Sequence, residues 1–268
     1  MQIEAPAKLT RELRVVGALP GGYHAIEAEF VSLSLADEVS INFDTAQSAV
    51  AVEGAEPELG VDWRHIPAGV GNLAMKALEL AGRNATIVLQ KRIPAGGGLG
   101  GGSADAAAVL RAAGFRTNPE ELAVLGADVP FCLRGGRALV SGLGEKLEPL
   151  PYEEMTFTLV LPPYAVSTAA VYAAYDRVGG SGRPNDLLAA AVAVEPALGK
   201  ALEGFERHFG IAPKLAGSGS SFFVEAGLDS LGMAPLLVTP RFKVARVQLR
   251  GQIMTMVECY ATPPSNQT

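Results

Sequence analysis

The chain has 268 residues, 49% of them apolar and 19% charged, with a formal net charge of −6. That balance excludes a disordered chain and a broad electrostatic footprint for nucleic acid, and the length suits two domains. Two distant cysteines, Cys132 and Cys259, exclude a disulfide scaffold, the three histidines lack metal-site spacing, and no apolar run is long enough to span a membrane.

In chain order, the opening MQIEAPAKLT carries no signal-peptide core, so a cytoplasmic protein is expected. RELRVVGA (11–18), YHAIEAEFVSLSL (23–35) and EVSINF (38–43) predict strands, with a PGG turn at 20–22. NLAMKALELAG (72–82) predicts an amphipathic helix ended by Gly82. ATIVLQ (85–90) predicts a buried strand and SADAAAVLRAA (103–113) a helix capped by Ser103. A short helix is expected over 118–126 and a strand over 137–142, and the proline-containing, charged stretch 145–154 is expected to hold a domain boundary near residue 150. TFTLVLP (156–162) predicts a strand, 167–178, 185–194 and 195–209 predict helices, and a second glycine loop (215–226) runs into a strand. Residues 227–237 stay ambiguous, VARVQL (244–249) predicts a strand, and ATPPSNQT (261–268) a disordered tail. Strands cluster early and helices intermix, which predicts an α+β fold.

Between the strand at 85–90 and the following helix, residues 96–102 hold six glycines and Leu99. Glycine this dense marks either a flexible linker or a backbone that approaches a ligand closely. Strand, glycine loop and helix N-terminus in that order suit phosphate, which backbone N–H groups and the helix dipole attract. The ordinary P-loop template fails because Gly102 stands where its lysine belongs. The dinucleotide fingerprint is matched by Gly96, Gly98 and Gly101 but lacks the tight strand-to-glycine turn, since residues 91–95 intervene. A longer phosphate loop with a serine at the helix start remains.

Three motifs stand in order: APAK (5–8), PAGGGLGGGSADAA (94–107) and LAGSGSSFF (215–223). Together they resemble the GHMP kinase superfamily. GGYH (21–24), GNL (71–73), GADVPF (126–131), STAAVY (167–172) and NDL (185–187) resemble its 4-diphosphocytidyl-2-C-methyl-erythritol kinase branch, over nearly the whole chain to about residue 250. The resemblance implies a two-domain α+β kinase: an N-terminal domain (1–150) like ribosomal protein S5 domain 2, which binds ATP, and a ferredoxin-like C-terminal domain (151–260). It implies transfer of the ATP γ-phosphate, with Mg²⁺, to the 2-hydroxyl of 4-diphosphocytidyl-2-C-methyl-erythritol in non-mevalonate isoprenoid synthesis. The partners are then two small molecules, with no nucleic acid or membrane, and the protein a monomer or homodimer. By the same resemblance Asp128 is the general base, paired with Lys8. ATP would meet Asn72, Lys91, Pro94, Gly96, Gly97, Gly98, Leu99, Gly100, Gly101, Gly102, Ser103, Asp105, Gly217, Ser218 and Gly219, with Ser103 also a candidate Mg²⁺ contact. The cytidyl substrate would meet Thr10, Tyr23, His24, Asp128, Thr168 and Tyr172.

Alone, Asp128 reads as a turn residue before Val129-Pro130, Lys8 as an ordinary strand lysine, and Tyr23 and Tyr172 as packing residues. The sequence also departs from the branch. Thr10 replaces an asparagine that normally touches substrate, Arg11 and Glu12 replace apolar residues, and the stretch from Ser103 to Asp128 is short, as if one helix were trimmed. Two alternatives follow: another GHMP-type sugar or homoserine kinase, or a nucleotide-binding protein that has lost phosphoryl transfer.

Overall fold

The computed structural model describes residues 1–265 apart from 61, 63, 183, 250 and 251. Two sheets with helices packed on them form an α+β fold. The first sheet contains β1 (Gln2–Leu19), β2 (Tyr23–Asn42), β3 (Ala49–Gly54), β4 (Thr86–Lys91), β5 (Arg137–Gly142) and β6 (Lys146–Leu150), with α1 (Leu73–Leu80), α2 (Gly101–Ala112) and α3 (Val129–Arg134) inserted along the chain. Its order is β3-β4-β2-β5-β6, with β1 paired to β2. The second sheet contains β7 (Thr156–Leu161), β8 (Lys214–Leu215), β9 (Phe222–Val224), β10 (Leu237–Val238), β11 (Phe242–Leu249) and β12 (Gln252–Tyr260), in the order β10-β11-β12-β7-β9-β8. Helices α4 (Thr168–Val178), α5 (Leu188–Val194) and α6 (Pro196–Phe209) lie between β7 and β8 in the chain.

The long antiparallel pair β1–β2 organises the molecule. Its register shifts between Pro6 and Lys8, between Thr10 and Glu12, and between Val15 and Gly17. The first two shifts bracket Lys8 and Thr10, and such bulges re-aim side chains. Along β2, Val31, Leu33, Leu35, Val39 and Ile41 join one core, while Ile26, Ala28 and Phe30 join the other. Successive side chains of a strand point to opposite faces, so one strand can serve two cores. Strand β7 does the same, placing Phe157, Leu159 and Leu161 in the first core and Val160 in the second. Cys132 and Cys259 are both buried free thiols of the first core.

Several expectations are corrected. The segments 23–35 and 38–43 form one strand, β2, because β1 pairs on both sides of the junction, at Phe30–Ser32 and at Ala36–Ser40. Ser103 does not cap α2; the helix starts at Gly101, capped by Gly100 in a left-handed conformation. Residues 118–126 hold a 3-10 turn, 119–124, instead of an α-helix. The stretch 145–154 contains strand β6, which carries Pro149 at the sheet's edge. The tail is ordered as far as it is described: Thr262 donates its N–H to the Ser32 carbonyl and Ser265 to the Arg134 carbonyl, so 261–265 extend the packing of β2 and α3. Residues 266–268 lie outside the described residues.

Candidate active site

The glycine loop is clamped at its entry. The Asp37 carboxylate accepts the N–H groups of Arg92 and Ile93 at 2.6 and 2.8 Å and also pairs with Lys91. Lys91 in turn reaches Asp105, on α2, at 2.6 Å. One ammonium therefore ties the end of β4 to the far side of the loop. Burial pulls the Lys91 ammonium down, but Asp105 and Asp37 outweigh it and hold it well above its ordinary value. Burial pushes Asp105 up, Lys91 opposes the shift and Asp37 adds to it. Lys91 and Asp105 are 3% and 2% exposed. Their charges face each other beneath the loop, so the pair braces the loop from behind. Asn72 is similarly engaged. It caps α1, accepting from Ala74 N–H at 2.9 Å and donating to the Pro67 carbonyl at 2.8 Å.

Within the loop four carbonyls are occupied and the N–H groups are not. Gly96 O accepts from Val166 and Ser220 at 3.2 Å, Gly97 O from Ser221 at 3.2 Å, Leu99 O from Lys8 N–H at 3.0 Å and Gly100 O from Ala104 at 2.9 Å. The N–H groups of residues 96–103 donate to no acceptor among the described residues. Such a row of unengaged donors at a helix N-terminus suits an anion. The Ser220 and Ser221 bonds also zip this loop to the second one, residues 215–221. The contact tolerates no side chain at Gly98, whose φ is +76°, because a Cβ there would strike the Ala216 carbonyl oxygen.

Where the two loops meet sits Lys8. A Cβ on Gly100 would lie 2.7 Å from Lys8 Cγ, and one on Gly217 would lie 3.4 Å from Lys8 Nζ. The ammonium stands 3.2 Å from Asp128 Oδ2, donates to Thr10 Oγ1 at 3.2 Å and rests over the Phe30 ring at 4.7 Å. Asp128 occupies the cap position of α3, yet its side chain caps no N–H, so the carboxylate is left to Lys8 and solvent. Its side chain is 28% exposed, whereas Thr10 is fully buried. The Thr10 hydroxyl braces the lysine.

On the other side of Asp128 lies an aromatic group. Tyr172 stacks on His24 with centroids 5.0 Å apart, and His24 Nε2 contacts Asp176 Oδ1 at 2.7 Å. Burial, then the Asp128 charge, pushes the Tyr172 hydroxyl up to about 12, so it remains a neutral donor. Tyr23 stands out at 62% exposure beside Gly21. Thr168, at the start of α4, shares a 2.8 Å hydrogen bond with Ser218 of the second loop. The structure thus gathers Lys8, Thr10, Asp128, Tyr172, Gly100 and Gly217, and sets Asn72, Lys91 and Asp105 behind them. Sequence reasoning missed Asp37 and Asp176. Asp37 follows Leu33 and Leu35 at strand period, so a charge on the inward register was its signal; Asp176 lies one helical turn after Tyr172.

The sequence profile of the GHMP kinases N terminal domain matches residues 69–136. The chain is 35% identical over 240 residues to the 4-diphosphocytidyl-2-C-methyl-D-erythritol kinase of Paracoccus denitrificans (strain Pd 1222), covering 82% of this chain and 84% of that one. The chain belongs to this kinase family. Another member, from Acetivibrio thermocellus (strain ATCC 27405), is 38% identical over 208 residues, covering 72% of this chain and 70% of that one. A crystal structure of 4-(cytidine 5'-diphospho)-2C-methyl-D-erythritol kinase superposes with a TM-score of 0.62 at 32% identity, covering 84% of this chain and 90% of that one. The two-sheet α+β architecture is that of the GHMP kinases.

Proposed function

We propose that the protein transfers the γ-phosphate of ATP to the 2-hydroxyl of 4-diphosphocytidyl-2-C-methyl-D-erythritol. The observation that carries this reading is the Lys8–Asp128 pair, 3.2 Å apart at the meeting of two zipped glycine loops. Phosphoryl transfer needs positioning and neutralisation of charge more than covalent chemistry. The unengaged N–H groups of residues 96–103 offer donors to the phosphates. Asp128 is the half-buried carboxylate that accepts the hydroxyl proton, and Lys8 is the cation beside it that stabilises the developing alkoxide. Lys8 has three N–H donors, of which Asp128 and Thr10 take two.

Among the described residues no three His, Cys, Asp or Glu side chains are arranged to hold a metal ion. Ser103 Oγ, in the first turn of α2, is the protein oxygen that would join phosphate oxygens and water around Mg²⁺. When bound, Mg²⁺ would neutralise phosphate charge. Tyr23, His24, Thr168 and Tyr172 form the proposed cytidyl side of the cleft, with Ser218 beside Thr168. Residues 1–150 would carry the nucleotide loop and 151–260 the opposing loop and α4. Such a reaction places the protein where ATP is abundant, in the cytoplasm.

The test is ADP release measured with the cytidyl substrate, galactose, homoserine and mevalonate. The cytidyl substrate should turn over fastest. Faster turnover of any of the others would shift the reading to another GHMP-type kinase. ATP binding without turnover of any acceptor would leave a nucleotide-binding protein, a reading that the intact Lys8–Asp128 pair disfavours.

A further inference from the structure

The NDL segment, residues 185–187, has no part in the site described so far. Asn185 is 3% exposed, between α4 and α5. Its Nδ2 donates to the Leu215 carbonyl at 2.9 Å and to the Gly217 carbonyl at 2.7 Å, and its Oδ1 accepts the Leu187 N–H at 2.9 Å. Every hydrogen-bonding position of a primary amide's donors is therefore used, and used on the second glycine loop. The same segment is also fastened to β1. Leu13 N–H donates to the Pro184 carbonyl at 2.9 Å, Asp186 N–H to the Leu13 carbonyl at 2.9 Å, and Val15 N–H to Asp186 Oδ2 at 3.0 Å. Leu187 anchors it in the second core.

The Asn185 amide and the backbone bonds at Leu13 set the geometry between two parts that must agree. Strand β1 carries Lys8 and Thr10, and Gly217 lies where a Cβ would come within 3.4 Å of Lys8 Nζ and 3.6 Å of Thr10 Oγ1. A loop that is to face an anion must turn its carbonyl oxygens elsewhere. Asn185 takes two of them into the protein, and the N–H groups of Gly217 and Ser218 donate to no acceptor among the described residues. We propose that Asn185 is a positioning residue for phosphoryl transfer: its amide turns the Leu215 and Gly217 carbonyls away from the cleft and fixes the second glycine loop against Lys8. This rests on the kinase reading above. Aspartate at 185 would put a carboxylate against two carbonyl oxygens, and alanine would leave both carbonyls without a donor.

The test is steady-state kinetics of the full chain with Asn185→Ala, Asn185→Asp and, as a control, Asp186→Ala. Asp186 holds the same segment to β1 but does not touch the loop. Asn185→Ala should lower kcat about tenfold to a hundredfold and raise KM for ATP, with Asn185→Asp worse. Asp186→Ala should lower the melting temperature while leaving kcat near wild type. In a double-mutant cycle, Asn185→Ala with Lys8→Ala should cost much less than the product of the single losses, because one acts through the other. Should Asn185→Ala not fold, Asn185→Ser, which keeps one donor, carries the same comparison. The proposal is overturned if the folded Asn185 variants keep normal kcat and KM for ATP, if Asp186→Ala loses activity equally, or if the cycle is multiplicative. A wild type that shows no ATP-dependent turnover would instead overturn the kinase reading itself.

Discussion

At Lys8 the ammonium is shared between a carboxylate, a hydroxyl and an aromatic face, which leaves little freedom for it to drift from the cleft. Asp128→Asn preserves shape and removes the base, so kcat should fall by about two to four orders of magnitude. ATP affinity by calorimetry should be nearly unchanged, since Asp128 is outside the glycine loop. A kcat close to wild type would remove Asp128 from the mechanism. Tyr172 is stacked on His24, on the proposed cytidyl side. Tyr172→Ala should therefore raise KM for the cytidyl substrate more than KM for ATP, with stacking contributing about 1–3 kcal/mol. Beneath the loop, Asp105 titrates above its ordinary value of 3.8 because it is buried. The folded state then binds its proton more tightly than the unfolded chain does. The resulting stability is present below pH 3.8 and is lost as the pH rises through the raised value. Urea midpoints of the wild type should accordingly decline relative to Asp105→Asn as the pH is raised from acid toward neutrality; parallel pH curves would refute this.

At the level of elements, the close approach of the two glycine loops makes Gly98 irreplaceable. Alanine there combines a positive φ with a Cβ directed at the Ala216 carbonyl. Gly98→Ala should destabilise the fold by about 1–3 kcal/mol and raise KM for ATP, readable by melting and by initial rates. An unchanged melting temperature would mean that the loops are not packed this tightly. Strand β4, the glycine tract and helix α2 were legible in sequence because each carries a local signal: β-branched residues, bare backbone and an alanine run. The pair Lys8 and Asp128 was legible only through resemblance, since nothing local distinguishes them. Strands β3 and β12 were not read at all. AVAVEG and QIMTMVECY do alternate in part, but their pairing with β4 and β7 is long-range and fixes them only once the sheets assemble. The ion pairs of Lys91 were not legible, because its two carboxylate partners come from β2 and α2, 54 and 14 residues away.

Across the whole molecule, each core draws on both sides of residue 150. Phe157, Leu159, Phe223 and Val257 complete the core under α1 and α2, while Leu13, Ile26, Phe30 and Phe131 enter the core under α4 to α6. The two sheets are therefore expected to unfold together. Calorimetry should show a single unfolding transition, and Phe157→Ala should cost about 3–5 kcal/mol although it lies outside the first sheet. Two separated transitions would show that the halves fold independently. Among the described residues no helix is long and apolar enough to cross a membrane. The shared core also encloses Cys132 and Cys259, whose thiols burial pushes well up. Both are thus shielded from alkylating reagents while the chain is folded, since the reactive species is the thiolate. Their modification rate becomes a clock for core opening, and occupants of the cleft that hold β1, α3 and the loops together should slow it without touching either sulfur.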